Sequence, residues 1–224
     1  MGKTKAVVAG YVGVLVFAAF LFLAAGKLVY WQAILYVALA LFGATLSNLL
    51  VPKGSDLPSD RADKAAEGQS WDKRLLGAHA LTSVVMFVVA GLDSGRFGWS
   101  GSVPVAVTIA GALMMVVGQV LFAVAKRQNA FFSSTARIQT ERGHRVCDTG
   151  LYSHVRHPGY VGMLLSGLAF PAVLGAYWAF LPAACGAALL IARTALEDRM
   201  LRKELPGYPE YAARTRWRLV PGLY

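Results

Sequence analysis

The chain is 224 residues long, 56% hydrophobic and only 15% charged, with a formal net charge of +10. A soluble domain carries about a quarter charged residues, and a disordered chain needs low hydrophobicity with high charge, so both classes are excluded. The apolar residues fall instead in blocks close to the roughly 20 residues that a helix needs to cross a bilayer.

Six spans are predicted in chain order. The first, about Ala6 to Ala25, follows Lys3 and Lys5 as a signal peptide would. No polar cleavage region comes after it, because Gly26 and Lys27 lead straight into the next block, so it is expected to be a retained helix. The second runs from about Leu28 to Val51. Between Pro52 and Arg74 lie five acids and five bases, which read as a solvated spacer. The third and fourth spans cover about Leu75 to Leu92 and Val103 to Ala125. Asn48 and His79 fall inside spans and are expected to make interhelical hydrogen bonds. The last apolar run is broken at Gly175, so it is predicted as a helical hairpin of two short spans, Tyr160 to Leu174 and Ala176 to Ala192.

The basic residues report orientation. Summed over alternate connections, 20 Lys and Arg lie on one side of this layout and 2 on the other. By the positive-inside rule both termini and the two long loops are cytoplasmic, as in a multi-pass protein of a bacterial-type inner membrane. The charge is spread over every cytoplasmic segment rather than along one stripe, so no nucleic-acid partner is expected. Cys147 and Cys185 read as inert thiols. The four histidines have no spacing that suits a metal, and there is no phosphate loop or dinucleotide fingerprint.

Candidate chemistry gathers in two cytoplasmic segments, Lys126 to Pro158 and Arg193 to Tyr224. In the first, turn signals at Gly143 and at Asp148 to Gly150 bracket an extended piece or short strand around Arg145 to Cys147. The run Arg156-His157-Pro158-Gly159-Tyr160 lies where the loop re-enters the bilayer. Pro158 suits the first turn of a helix, and it pushes His157 toward an extended backbone. A helix start flanked by Gly159 and Gly162 offers free N–H groups and room to an anionic ligand group. The plainer reading makes His157 an interfacial cap and Arg156 a membrane anchor. In the second segment, Arg193 and Glu197 stand four apart on one helix face, where they can pair or jointly hold a zwitterion. Arg199, Arg202 and Lys203 suit a helix lying on anionic lipid; Glu197 does not.

The stretch Gly150-Leu-Tyr-Ser-His-Val-Arg-His-Pro-Gly-Tyr-Val-Gly162, then Glu197-Asp198-x-x-Leu201 and Tyr208-x-x-Tyr211, resembles the isoprenylcysteine carboxyl methyltransferase family, itself related to membrane phospholipid methyltransferases. Phe131 to Gln139 and Gly143 to Val146 resemble the same family, so the likeness covers about residues 126–224. It implies an all-α polytopic bundle with a small cytoplasmic lobe for S-adenosylmethionine. Residues 1–125 would supply four spans and residues 126–224 the catalytic region. His157, Pro158, Tyr160, Gly162, Glu197 and Tyr208 would hold the cofactor. Arg156 and Arg193 would orient an anionic acceptor and Glu197 would share in the chemistry. The family's paired glutamates appear here as Glu197-Asp198, and Glu197 carries more weight than Asp198. The acceptor would be lipophilic, most simply a carboxylate of the isoprenylcysteine type. The alternatives are a phospholipid amine, a nicotinamide-dependent membrane reductase, or a lipid-binding protein without catalysis. The sequence is silent on oligomeric state.

Overall fold

A computed structural model describes residues 3–51 and 68–224. Every regular element among them is helical: α1 (Lys3–Ala25), α2 (Trp31–Leu49), α3 (Ser70–Ala90), α4 (Val105–Gln128), α5 (Pro158–Leu174), α6 (Phe180–Glu204) and a short α7 (Tyr208–Arg214). Five of the long helices are apolar enough to cross a membrane, and α5, 17 residues long, is the shorter sixth. The chain is therefore a multi-pass membrane protein with the all-α bundle expected. Its outer face carries exposed Leu15, Leu23, Leu81, Ile109 and Leu113, a surface that suits lipid rather than water.

The helix ends follow local chemistry. Pro158 opens α5, and Gly175 closes it with a left-handed backbone at φ 62°, which makes the hairpin turn. Two boundaries differ from expectation. Helix α3 starts at Ser70, inside the predicted spacer, and α6 continues past Ala192 to Glu204. The rest of the spacer, 52–67, lies outside the described residues. Of the two forms expected around Arg145 to Cys147, the strand does not occur: among the described residues no strand is present to pair with it, and the segment is an irregular piece whose Val146 packs on the cluster of Leu205, Tyr208 and Tyr211.

Helices α4 and α5 cross most closely. A β-carbon on Gly162 would stand 2.5 Å from the Gly118 carbonyl oxygen, and one on Gly111 would stand 2.8 Å from the Ala172 side chain. Pairing of the lower α4 number with the higher α5 number makes the two helices antiparallel. Absent side chains let the backbones meet, which substitutes for the missing hydrophobic drive in lipid.

The bundle has a solid half and a hollow half. At the end carrying Gly175, Leu21, Phe87, Met115, Phe170 and Leu174 pack into one core. A π-helical turn, Gly91–Phe97, prolongs α3 there. Its buried Asp93 accepts the Ser100 amide at 2.7 Å, the Ser100 hydroxyl at 2.6 Å and the Trp178 amide at 3.2 Å, fastening two loops at that end. At the other end the helices enclose open space.

Candidate functional site

That space is a cavity of about 900 Å³. All six long helices contribute to its wall, through residues such as Gly10, Ala40, Ser83, Phe122, Met163 and Ala183. Its mouth is built by the 129–157 loop, the end of α6 and α7. Both segments singled out for chemistry thus meet at one end of the bundle.

The polar floor of the mouth is a connected cluster. Arg193, on α6, donates from Nε to Asp72 Oδ1 at 2.6 Å and from Nη2 to Oδ2 at 3.2 Å. Nη2 also reaches the Ser134 carbonyl at 2.9 Å, while the second Asp72 oxygen accepts the Ala136 amide at 2.7 Å. The Arg193 guanidinium lies over the Tyr160 ring, 5.3 Å from its centroid. The Tyr160 hydroxyl in turn donates to Glu197 Oε2. Glu197 is half-buried and lines the cavity.

A second network lies beside it. Asp198 is fully buried and accepts from Arg156 Nε at 2.7 Å, Arg156 Nη2 at 3.2 Å, Arg202 Nε at 3.0 Å, Arg218 Nε at 3.1 Å and the Tyr208 hydroxyl at 3.0 Å. Arg156 Nη1 donates to the carbonyls of Thr215 and Arg216, both at 2.7 Å. The Arg156 and His157 amides donate to the Trp217 and Arg218 carbonyls at 2.9 and 3.0 Å. This clamp fixes the C-terminal tail across the start of α5. Burial, and then the neighbouring Asp198 charge, hold the Tyr208 phenol protonated far above its ordinary range.

The predicted site residues converge. His157 stacks on Tyr160 with ring centroids 5.7 Å apart, and its Nε2 lies 3.4 Å from the Tyr208 hydroxyl. Glu197 completes this group through Tyr160. Other members are placed differently. Arg193 pairs with Asp72 rather than with Glu197 one turn away. Arg156 spends its donors on Asp198 and the tail. Gly159 and Gly162 both line the cavity, as foreseen, but the direction a side chain would take is filled: a β-carbon on Gly159 would stand 2.7 Å from the Phe132 ring, and one on Gly162 would meet the α4 backbone. Asn48 and His79 line the cavity. Two aspartates outside the expected set, Asp72 and Asp198, hold the two arginines. One signal was available for Asp198, an acid adjacent to Glu197 at a membrane boundary.

In the loop, His144 stacks on Phe131 at 4.6 Å and its Nδ1 accepts the Gln139 amide at 3.2 Å. Burial, with the charges of Arg137 and Arg142, pushes its pKa from 6.5 down to about 4. Because the unfolded loop binds the proton more tightly than the folded one, the contribution of neutral His144 is complete above about pH 6.5 and fades as pH falls toward 4. Amide protection factors across residues 137–146, taken relative to the intrinsic exchange rate at each pH, are expected to fall between about pH 6.5 and 5. A His144 imidazole resonance titrating at its ordinary value would contradict this.

With this geometry in hand, the chain matches a family model described as "Protein of unknown function (DUF1295)" over residues 2–215. The chain belongs to the DUF1295 family. No curated protein matches it. The DUF1295 match spans the four N-terminal helices as well as the C-terminal segments, and the site likewise draws on both: Asp72 comes from α3, and Arg193 and Glu197 from α6.

Proposed function

We propose that the protein is an integral-membrane methyltransferase that carries a methyl group from S-adenosylmethionine to a lipophilic acceptor. The observation that supports this most is one cavity with two chemistries. Its mouth holds a carboxylate, an aromatic ring and a histidine, and its shaft continues between membrane helices. In the proposed orientation the mouth faces the cytoplasm, where a soluble cofactor arrives, while the acceptor stays in lipid.

The residues present fit the cofactor. Glu197 has one oxygen engaged by Tyr160 and lines the cavity with its carboxylate, a suitable partner for an ammonium or a nearby sulfonium. S-adenosylmethionine, when bound, supplies a methyl carbon that is already electrophilic. The protein then has to align the acceptor and exclude water. Tyr160 orients Glu197, Arg193 steadies the Tyr160 ring, and His157 with Tyr208 forms the adjoining wall. Pro158 and Gly162 act at one remove, by starting α5 and seating it on α4.

A carboxylate acceptor of the isoprenylcysteine type is the simplest reading of the sequence resemblance. One observation favours a second acceptor, a lipid amine. Both arginines expected to orient an anion are held by buried aspartates, Arg193 by Asp72 and Arg156 by Asp198. An amine requires no such cation, only loss of its proton before attack.

Glu197→Ala is expected to weaken S-adenosylmethionine binding by about tenfold to a hundredfold, the range for losing a charged hydrogen-bond partner. Calorimetry on the purified protein measures it. Unchanged cofactor affinity would remove Glu197 from the site. Labelled methyl transfer into a membrane extract, followed by mass spectrometry of the labelled lipid, tests the activity and separates carboxylate from amine.

A further inference from the structure

The boundary between the hollow and solid halves is sharp, and three aromatic rings make it. Tyr36, Phe87 and Phe170 touch one another, with ring centroids 5.4 Å apart for Tyr36 and Phe87, 4.8 Å for Tyr36 and Phe170, and 4.4 Å for Phe87 and Phe170. Each lies one helical turn beyond a small residue that lines the cavity: Tyr36 beyond Ala40 on α2, Phe87 beyond Ser83 on α3, Phe170 beyond Ser166 on α5. Positions four apart share a helix face, so each ring stands directly beneath the cavity wall on its own helix. Met86 and Leu168 also line the cavity at this depth, and the interlocked rings lie just beneath that lining, so the shaft ends on an apolar layer.

The well has a definite depth. From Tyr160 to Phe170 is ten residues of α5, about 15 Å at the helical rise. From Asp72 to Phe87 on α3 is fifteen residues, about 22 Å.

We propose that Tyr36, Phe87 and Phe170 are the floor of the acceptor well and determine the longest apolar tail the protein takes, a single chain reaching about 15–22 Å from the polar cluster. This rests on the reading that the acceptor is lipophilic. The floor acts by contact: every methylene that fits is desolvated and stabilises binding, whereas the first that does not fit must bend back or displace a ring packed on two others.

The test measures tail binding apart from methyl transfer. The full-length protein in lipid nanodiscs is titrated with single-chain alkyl amines and alkyl carboxylates of graded length. Affinity is read as the ratio of variant to wild type at each length, so that partition into lipid cancels. Ser83→Leu raises the floor by one turn and is expected to weaken the longest accepted tails about tenfold, the effect of about two methylenes, while sparing short ones. Phe87→Ala lowers the floor and is expected to strengthen binding of tails just beyond the wild-type limit by a similar factor. Phe87→Leu, which preserves more of the packing, should give a smaller shift of the same sign. Equal changes at all lengths, or no change in any variant, would overturn the assignment. Opposite shifts from Ser83→Leu and the Phe87 variants support it, even if no acceptor is methylated, in which case the methyltransferase reading falls and the floor stands.

Discussion

Asp198→Ala is expected to free the C-terminal tail and to destabilise the protein by about 3–5 kcal/mol, the range for removing one partner of a buried ion pair. Asp198 has no exposed surface, and its two oxygens accept from three arginines and a tyrosine. Most of the loss comes from Arg156, whose buried guanidinium would retain the Thr215 and Arg216 carbonyls but no counter-charge. Arg202 and Arg218 are partly exposed and regain water, so removing either one alone should change stability by less than about 1 kcal/mol. Asp198→Asn retains an acceptor but not the charge and should fall between. Thermal unfolding in detergent measures the loss, and limited proteolysis after residue 204 reports the freed tail. A melting temperature equal to wild type in Asp198→Ala would show that the tail is held by other contacts.

Such an effect at Asp198 marks the limit of what the sequence discloses. The apolar blocks, the Gly175 turn and Pro158 at the start of α5 are written in local composition and backbone preference, and they could be placed from neighbours alone. The clamp could not. Arg156 and Asp198 are 42 positions apart, and nothing near either one names the other. Asp72 was harder still. It sits in a stretch where acids and bases balance, so its charge reads as solvation, and its partner lies 121 positions away. The i,i+4 spacing of Arg193 and Glu197 pointed to the wrong pair for a physical reason. A helical neighbour offers one flexible contact worth a few tenths of a kcal/mol, whereas buried Asp72 meets the planar guanidinium with both oxygens. Gly162 shows a different ambiguity. A glycine beside a helix start makes room for a ligand or for another backbone, and only the antiparallel crossing with Gly118 decides between them.

Asp72→Ala carries the second large expectation, because it removes the counter-charge of a buried arginine that also stands over Tyr160. Stability is expected to fall by about 3–5 kcal/mol, and cofactor affinity with it. Stability alone would not distinguish a site residue from a structural one, so the informative comparison is a double-mutant cycle between Asp72→Asn and Arg193→Gln. If Asp72 acts by positioning Arg193, the double variant should bind cofactor no more weakly than Arg193→Gln alone, with a coupling of about 1–3 kcal/mol. Asp72→Glu, which restores the charge at a longer reach, should recover part of the affinity lost in Asp72→Asn. Independent, additive losses would instead mean that Asp72 serves the fold through the Ala136 amide and leaves Arg193 to act by itself. A positive cycle would tie α3 to the proposed cofactor site on α6, since the carboxylate that holds Arg193 in place over Tyr160 comes from Asp72.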